Sequence, residues 1–150
     1  MDTISTIFLT HSVEAPSTFL IRMKALAKSL AEYFSPASVL PCYFLPPNRT
    51  FIQPNDNGNN VILCNHMVAV VDYASKRVQE EIEKRLLIKR PLFVFASAAT
   101  RISEKSHRLL EAVQIIRYAD DEDLYVKSVE SIIAAERAEE RRLRQSVRIR

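Results

Sequence analysis

Three glutamates, Glu80, Glu81 and Glu83, lie in the charged stretch that separates two apolar runs, VAVV at 68–71 and LFVF at 92–95. A carboxylate on a helix that faces a cleft can serve as a nucleophile or an acid–base group. One that faces water is an ordinary partner for a lysine or arginine four residues along, worth about 0.2–0.5 kcal/mol. Glu80 with Lys84 and Glu81 with Arg85 both have that spacing, so pairing alone accounts for either. Position separates them. Glu81 directly precedes Ile82 on the apolar side of the segment, within two turns of its start, and is expected to point inward while Glu80 points to solvent.

Hydroxyl side chains collect at places where a strand gives way to a helix. THS at 10–12, DYASKR at 72–77 and ASAATR at 96–101 offer Ser12, Ser75, Ser97 and Thr100, with Arg77 and Arg101 as nearby charge. Hydroxyls and free amide N–H groups at helix starts can cradle an anion. Ser75 can equally be a helix cap and nothing more. His11 closes the first apolar run, where site residues gather. His66 and His107 read as solvated or capping, and no two histidines have metal-ligand spacing.

These groups need elements to hold them. TIFLTH reads as a buried strand, and APSTFLIRMKALAKSLAEYF sets Phe19, Met23, Leu26, Leu30 and Phe34 at helical spacing behind the start signals Pro16 and Ser17. ASVLPCYFLPP is a second strand, with Pro41 marking an edge or a bulge. A polar run full of turn formers follows, then NVILCN, read as a short helix, and HMVAVVD as the third strand. Lys76 to Lys89 is expected to be a helix lined by Val78, Ile82 and Leu86 and stopped by Pro91. LFVFAS, ISEKSHRLLEAV and VQIIRYA continue as strand, helix and strand. A long helix from Asp121 carries Leu124, Val126, Val129, Ile132 and Ile133. Strands alternating with helices imply parallel pairing by right-handed crossovers. The expected fold is therefore three-layer α/β/α, with a flavodoxin- or Rossmann-like sheet of about five mainly parallel strands. Ligands of such sheets bind beyond the carboxyl ends of the strands, where the strand order switches. The loop after Tyr43 joins the three hydroxyl segments at that edge.

Composition bounds the reading. One domain covering residues 1–150 is expected, with a charged helical tail from about residue 134, and it can bury roughly 70% of its unfolded surface. With 47% hydrophobic and 26% charged residues the chain is far from disorder. Gly58 is the only glycine, which excludes Walker and dinucleotide-binding glycine loops. Two cysteines, Cys42 and Cys64, are too few for a disulfide framework or a zinc site and read as buried thiols. No segment reads as a signal peptide or a bilayer span, so a cytoplasmic location is expected. The net charge of +3 is modest. The arginine-rich tail lacks aromatic interleaving, so nucleic acid is not indicated as a partner.

From Asn65 to Phe95 the chain resembles the nucleoside 2-deoxyribosyltransferase superfamily, in particular its 2'-deoxynucleoside 5'-monophosphate N-glycosidase branch. The family pattern runs from an aspartate through an apolar strand to a serine, then a glutamate six residues later and a KP-type turn beyond it. Asn65, HMVAVV, Ser75, Glu81 and KRPLFVF follow that order with the spacing intact. TIFLTHS and VQIIRYADDEDLYVKSVESII are similar, more faintly, to the opening and closing segments, so the likeness spans most of residues 4–133. It implies Glu81 as nucleophile and Ser75 as a phosphate ligand. Asp56 falls within one residue of a second family carboxylate, which handles the leaving base or orients the sugar. Phe8 stands where relatives carry tyrosine, and Ser12, Ser97, Thr100 and Arg101 are further candidate substrate contacts. His11 occupies a position usually held by glycine, Asn65 replaces the aspartate, and SKRVQEE has none of the family's glycines. The implied activity is cleavage or transfer at the N-glycosidic bond of a nucleoside or its 5'-monophosphate, with no cofactor or metal, by a homodimer. The alternative is a catalytically degenerate α/β module that binds a nucleotide or a protein.

Overall fold

The computed structural model describes residues 6–34, 38–41, 61–102 and 111–148. Five strands form one parallel sheet: β1 (Thr6–His11), β2 (Ser38–Pro41), β3 (His66–Val70), β4 (Leu92–Ser97) and β5 (Ile115–Tyr118). Their order is β2-β1-β3-β4-β5, the flavodoxin-like arrangement whose switch point lies between β1 and β3. β2 is an edge strand and ends at Pro41, which pairs with Leu9. An edge is where a residue without an N–H can be tolerated.

Alternation along the strands decides which side chain meets which layer. Ile7, Leu9, Val68, Val70 and Phe95 pack with Phe19, Met23, Leu26 and Leu30 of α1 (Ser17–Tyr33). The same cluster takes in Leu124, Val129 and Ile132 from the long C-terminal helix, Asp121–Arg148. On the other face Phe8, Met67, Ala69 and Val94 pack against Val78 and Ile82 of α2 (Lys76–Leu87). The C-terminal helix is named α3. Two cores on two faces of one sheet make three layers, as the alternating pattern implied. All five residues of β3 are buried, because a central parallel strand is covered on both sides.

Local chemistry explains the ends of the elements. Pro16 precedes α1, and its carbonyl takes the amides of Phe19 and Leu20 at 3.0 and 3.2 Å, with no side-chain cap from Ser17. α2 stops at Leu87, two residues short of the expected Lys89. Lys89 has left the helical region, with φ at 53°, and Pro91 follows. At the start of α3, Asp120 Oδ1 accepts from the Asp123 amide and Asp123 Oδ2 accepts from the Ala119 amide, each at 2.8 Å. Three acids, Asp121, Glu122 and Asp123, sit in that first turn, where the helix dipole favours negative charge. Val126, expected in the α3 stripe, is exposed instead, and the buried position in its turn is taken by Ser128, whose hydroxyl donates to the Leu124 carbonyl at 2.7 Å. A helical turn at 61–63 matches the expected short helix. The expected helix over 102–113 and the tail of the second strand lie mostly outside the described residues. No described helix is long and apolar enough to cross a membrane.

Candidate active site

Thr10 is the fifth residue of β1 and, by alternation, shares the α2 face with Phe8. It donates its hydroxyl to Glu81 Oε1 at 2.6 Å. Arg77, one turn before Glu81 on α2, brings Nη1 to Oε1 at 2.8 Å and to Oε2 at 3.0 Å. The same nitrogen donates to Thr10 Oγ1 at 3.3 Å, while Nη2 donates to the His11 carbonyl at 2.6 Å. Four groups from two elements thus converge beside the carboxyl end of β1. Glu81 is 6% exposed. Burial pushes its carboxyl above the ordinary 4.5, against the opposing pull of the Thr10 hydroxyl and the Arg77 guanidinium.

Glu81 was expected either in the cleft or paired with Arg85 at the surface. Arg85 is instead fully buried and takes no part in that pair. Its Nη1 donates to the carbonyls of Val61 (2.8 Å) and Cys64 (3.0 Å), Nη2 to those of Asn65 (3.1 Å) and Pro91 (2.9 Å), and Nε to Pro91 (3.1 Å). Glu80 pairs loosely with Lys76 at 4.0 Å rather than with Lys84, and both are exposed. Glu83 is exposed too. Of the three glutamates, Glu81 alone is buried.

The other expected site residues divide. Ser75 is the N-cap of α2, its hydroxyl accepting from the Val78 amide at 3.3 Å. Replacing it with alanine is expected to lower stability by about 1 kcal/mol and the melting temperature by roughly 2–4 °C, read by thermal unfolding. Ser12 is buried, and its hydroxyl accepts from the Glu14 amide at 3.3 Å. His11 turns its ring to the α1 face, edge-on to Phe19 with centroids 5.7 Å apart. Burial keeps the imidazole below its ordinary value, and Nδ1–H of the neutral ring donates to the Ser12 carbonyl at 2.9 Å. So it is the His11 carbonyl, through Arg77, that joins the Glu81 cluster. Phe8 lies in the α2-side core one pleat below Thr10. Asn65, in the position of the family aspartate, ties the start of β1 to that of β3. Its Oδ1 accepts from the Thr6 amide at 2.9 Å. Asp56 lies outside the described residues, as do Cys42 and His107.

A second constellation lines the same edge of the sheet. Asp72 follows β3, and its Oδ1 accepts from the Ser97 amide at 2.7 Å. Its Oδ2 accepts a short hydrogen bond from the phenol of Tyr118. Arg22 of α1 donates to that phenol oxygen at 3.4 Å and to Asp121 Oδ1 at 2.6 Å. Burial, reinforced by the Asp72 carboxylate, pushes the Tyr118 phenol well above its usual value. Ser97 Oγ accepts from the Ala99 amide at 3.3 Å. The carbonyls of Ser97 and Thr100 both accept from Arg117, at 2.9 and 2.7 Å, and Arg101 is exposed. Ser97 thus shapes the loop after β4 through both its hydroxyl and its backbone, and Thr100 through its backbone carbonyl.

Thr10, Arg77 as the partner of Glu81, and the Asp72–Tyr118 bond escaped the sequence reading. Two signals were present: the two-residue alternation through IFLTH, and the four-residue spacing from Arg77 to Glu81. Nothing local in the sequence announces Asp72 and Tyr118, which are 46 residues apart. At the opposite, amino-terminal edge a cavity of ≈ 800 Å³ is bordered by His66, Pro91, Glu136 and Arg142. There the neutral His66 donates from Nε2 to Glu136 Oε1 at 2.6 Å. Among the described residues no three His, Cys, Asp or Glu side chains are gathered as a metal site.

No protein-family pattern matches the chain, and no curated protein matches it in sequence. In three dimensions it is similar to the CMP N-glycosidase BcmB of Clostridium botulinum, with a TM-score of 0.58 and 15% identity over 82% of this chain and 96% of that one. At that identity the likeness speaks for the fold.

Proposed function

We propose that this protein is a nucleotide-directed N-glycosidase or deoxyribosyltransferase in which Glu81 is the nucleophile. The observation that carries the reading is the buried carboxylate of Glu81 beside the carboxyl end of β1, at the switch point of a flavodoxin-like sheet, with Thr10 holding one of its oxygens. The resemblance of Asn65 to Phe95 to the deoxyribosyltransferase pattern, and the fold shared with a CMP N-glycosidase, support a nucleoside or nucleotide as the substrate class.

In the reaction, an oxygen of Glu81 attacks C1' as the bond from C1' to the base nitrogen breaks, and the bonding pair leaves with the base. The sugar passes through an oxocarbenium-like state into a glycosyl ester on Glu81, which water or a second base then resolves. Asp56 is assigned the proton delivered to the leaving base or the orientation of the sugar. Ser75 and Glu81 are about 9 Å apart along α2, a span that a phosphorylated pentose can bridge. Ser12, Ser97, Thr100 and Arg101 fall at the same edge as further substrate contacts. Homodimeric assembly and a cytoplasmic location belong to this reading.

Because the nucleophile must be ionised, kcat/KM is expected to fall on the acid side with a midpoint above 4.5, the ordinary glutamate value. A pH–rate profile for base release checks this, and a midpoint at or below 4.5 would count against Glu81. The primary test incubates the protein with nucleosides and deoxyribonucleosides and their 5'-monophosphates, with and without a second free base, and follows base by chromatography. One observation favours the second reading, a degenerate binding module: Arg77 engages both oxygens of Glu81. Tight nucleotide binding with no turnover from any substrate would establish that reading instead.

A further inference from the structure

The last part of α3 sorts its charges by face. Arg137, Arg141 and Arg144 stand at steps of four and three residues, and Arg148, where the helix ends, continues the spacing. At about 100° per residue these positions fall within a stripe roughly 60° wide. It lies opposite the side of the helix that carries Leu124, Ser128, Ile132 and Glu136, all of them buried. Arg137, Arg141 and Arg144 are exposed. With Ala134 and Glu140 they border a groove of ≈ 460 Å³.

No partner among the described residues accounts for the stripe. Glu139 is taken by Arg142 at 2.7 Å. Glu140 stands three residues beyond Arg137 and four before Arg144, yet it forms an ion pair with neither. Along the stripe each arginine instead has another arginine three or four residues away, and like charges at those spacings weaken a helix. The helix dipole favours cations only in the last turn, and Arg137 lies about three turns before the end.

We infer that this face of α3 docks on the sugar–phosphate backbone of a nucleic acid duplex, without regard to sequence. The inference does not depend on the N-glycosidase reading. Charge calls for a polyanion, and the composition of the face selects which one. Every cation from Arg137 to the end of the helix is an arginine, whose fork binds phosphate in two-point geometry. The groove has no apolar side chain larger than that of Ala134. A protein partner needs an apolar centre to its interface, and a helix lying in a membrane surface needs apolar residues to insert. Backbone phosphates need only the charges. Unpaired bases would call for aromatic rings to stack on, and the groove has none. A duplex carries one charge per about 1.7 Å of its axis, so it offers several phosphates to the roughly 16 Å between positions 137 and 148. Counted over the whole chain, a net charge of +3 gave no indication of such a partner. The helix does, because folding segregates arginines that the sequence interleaves with glutamates.

The test measures binding of the full chain to fluorescent DNA and RNA duplexes of about 20 base pairs, by anisotropy, from about 50 to 200 mM salt. Three or four phosphate contacts give a slope of log K against log salt of about −3, a loss of roughly 60-fold over that range. Arg137→Gln, Arg141→Gln and Arg144→Gln are each expected to flatten the slope by about 1, and the triple variant to bring it to about −1 or shallower. Glutamine is as good a helix former as arginine, so the melting temperature is expected to hold, or to rise as repulsion is relieved. Lys24→Gln, Lys28→Gln and Lys84→Gln together remove the same charge from exposed positions elsewhere. That control should change the slope by less than about 0.5.

Binding to either duplex in this pattern supports the inference, and the two arms show which duplex is preferred. No duplex binding at the lowest salt, or an equal loss in the lysine control, overturns it. So does binding as tight or tighter to polyglutamate, to phosphatidylserine vesicles or to a single strand. Those results would assign the face to an acidic protein, a membrane or unpaired bases.

Discussion

Glu81→Gln is expected to abolish base release while leaving the fold in place, with kcat lower by at least about 10³-fold, as when other nucleophiles are removed. Glutamine keeps the shape of the side chain and an oxygen that can accept from Thr10, but an amide oxygen is too poor a nucleophile to trap the sugar. Burial favours the uncharged side chain, so a variant that is inactive yet at least as stable as wild type is the expected signature. That combination marks a residue kept for chemistry at some expense to stability. Chromatographic assay together with thermal unfolding reads both quantities. Activity within tenfold of wild type would remove Glu81 from the mechanism, whatever the stability.

Arg85→Met carries the largest expected effect on the fold. The guanidinium fills all of its bonding from four carbonyls, two of them in the turn before β3, one at Asn65 and one at Pro91. Methionine fits the apolar stem and leaves those carbonyls without the donors they face. Hydrogen bonds to a charged group are worth about 1.5–3 kcal/mol each, and an abandoned buried acceptor costs a further 1–3 kcal/mol or so. A loss of at least about 3 kcal/mol is expected, seen as a fall of roughly 6–12 °C in melting temperature. Arg85→Lys retains the charge but not the fan of donors and should recover less than half. A change within about 2 °C would show that the carbonyls find other partners. Arg85 lies one turn beyond Glu81, so the weakened variant should also lose activity through a mispositioned α2.

Arg85 shows where the sequence stops being readable. On a helix that also carries Lys76, Arg77, Glu80, Glu83 and Lys84, one more arginine looks like part of the wet face. Its burial is decided by carbonyls 20–24 residues back in the chain, and local periodicity carries no information about them. The strands and α1 were legible because one physical rule, apolar residues at the period of the element, fixes them. The stripe Phe19, Met23, Leu26, Leu30 and Phe34 is buried as spaced. Val126 broke the same rule in α3, where a neighbouring serine could satisfy itself on the helix carbonyls and be buried in its place. Within the site, Glu81 was distinguishable from Glu80 and Glu83 by its neighbour Ile82. Its partner was not: arginines stand four residues away on both sides, and only the placement of β1 chooses Arg77.

The bond between Asp72 and Tyr118 has a consequence for how a ligand would arrive. With Ser97, Arg22 and Asp121 it ties the chain leaving β3 to β4, β5, α1 and α3. A phenol whose proton is held this firmly keeps donating through the whole neutral and mildly alkaline range. This part of the sheet's carboxyl edge is therefore held together by the protein's own hydrogen bonds. An incoming molecule forfeits little conformational freedom of the receptor there, and association should proceed in one phase, at a rate set by encounter and not by the ordering of that rim.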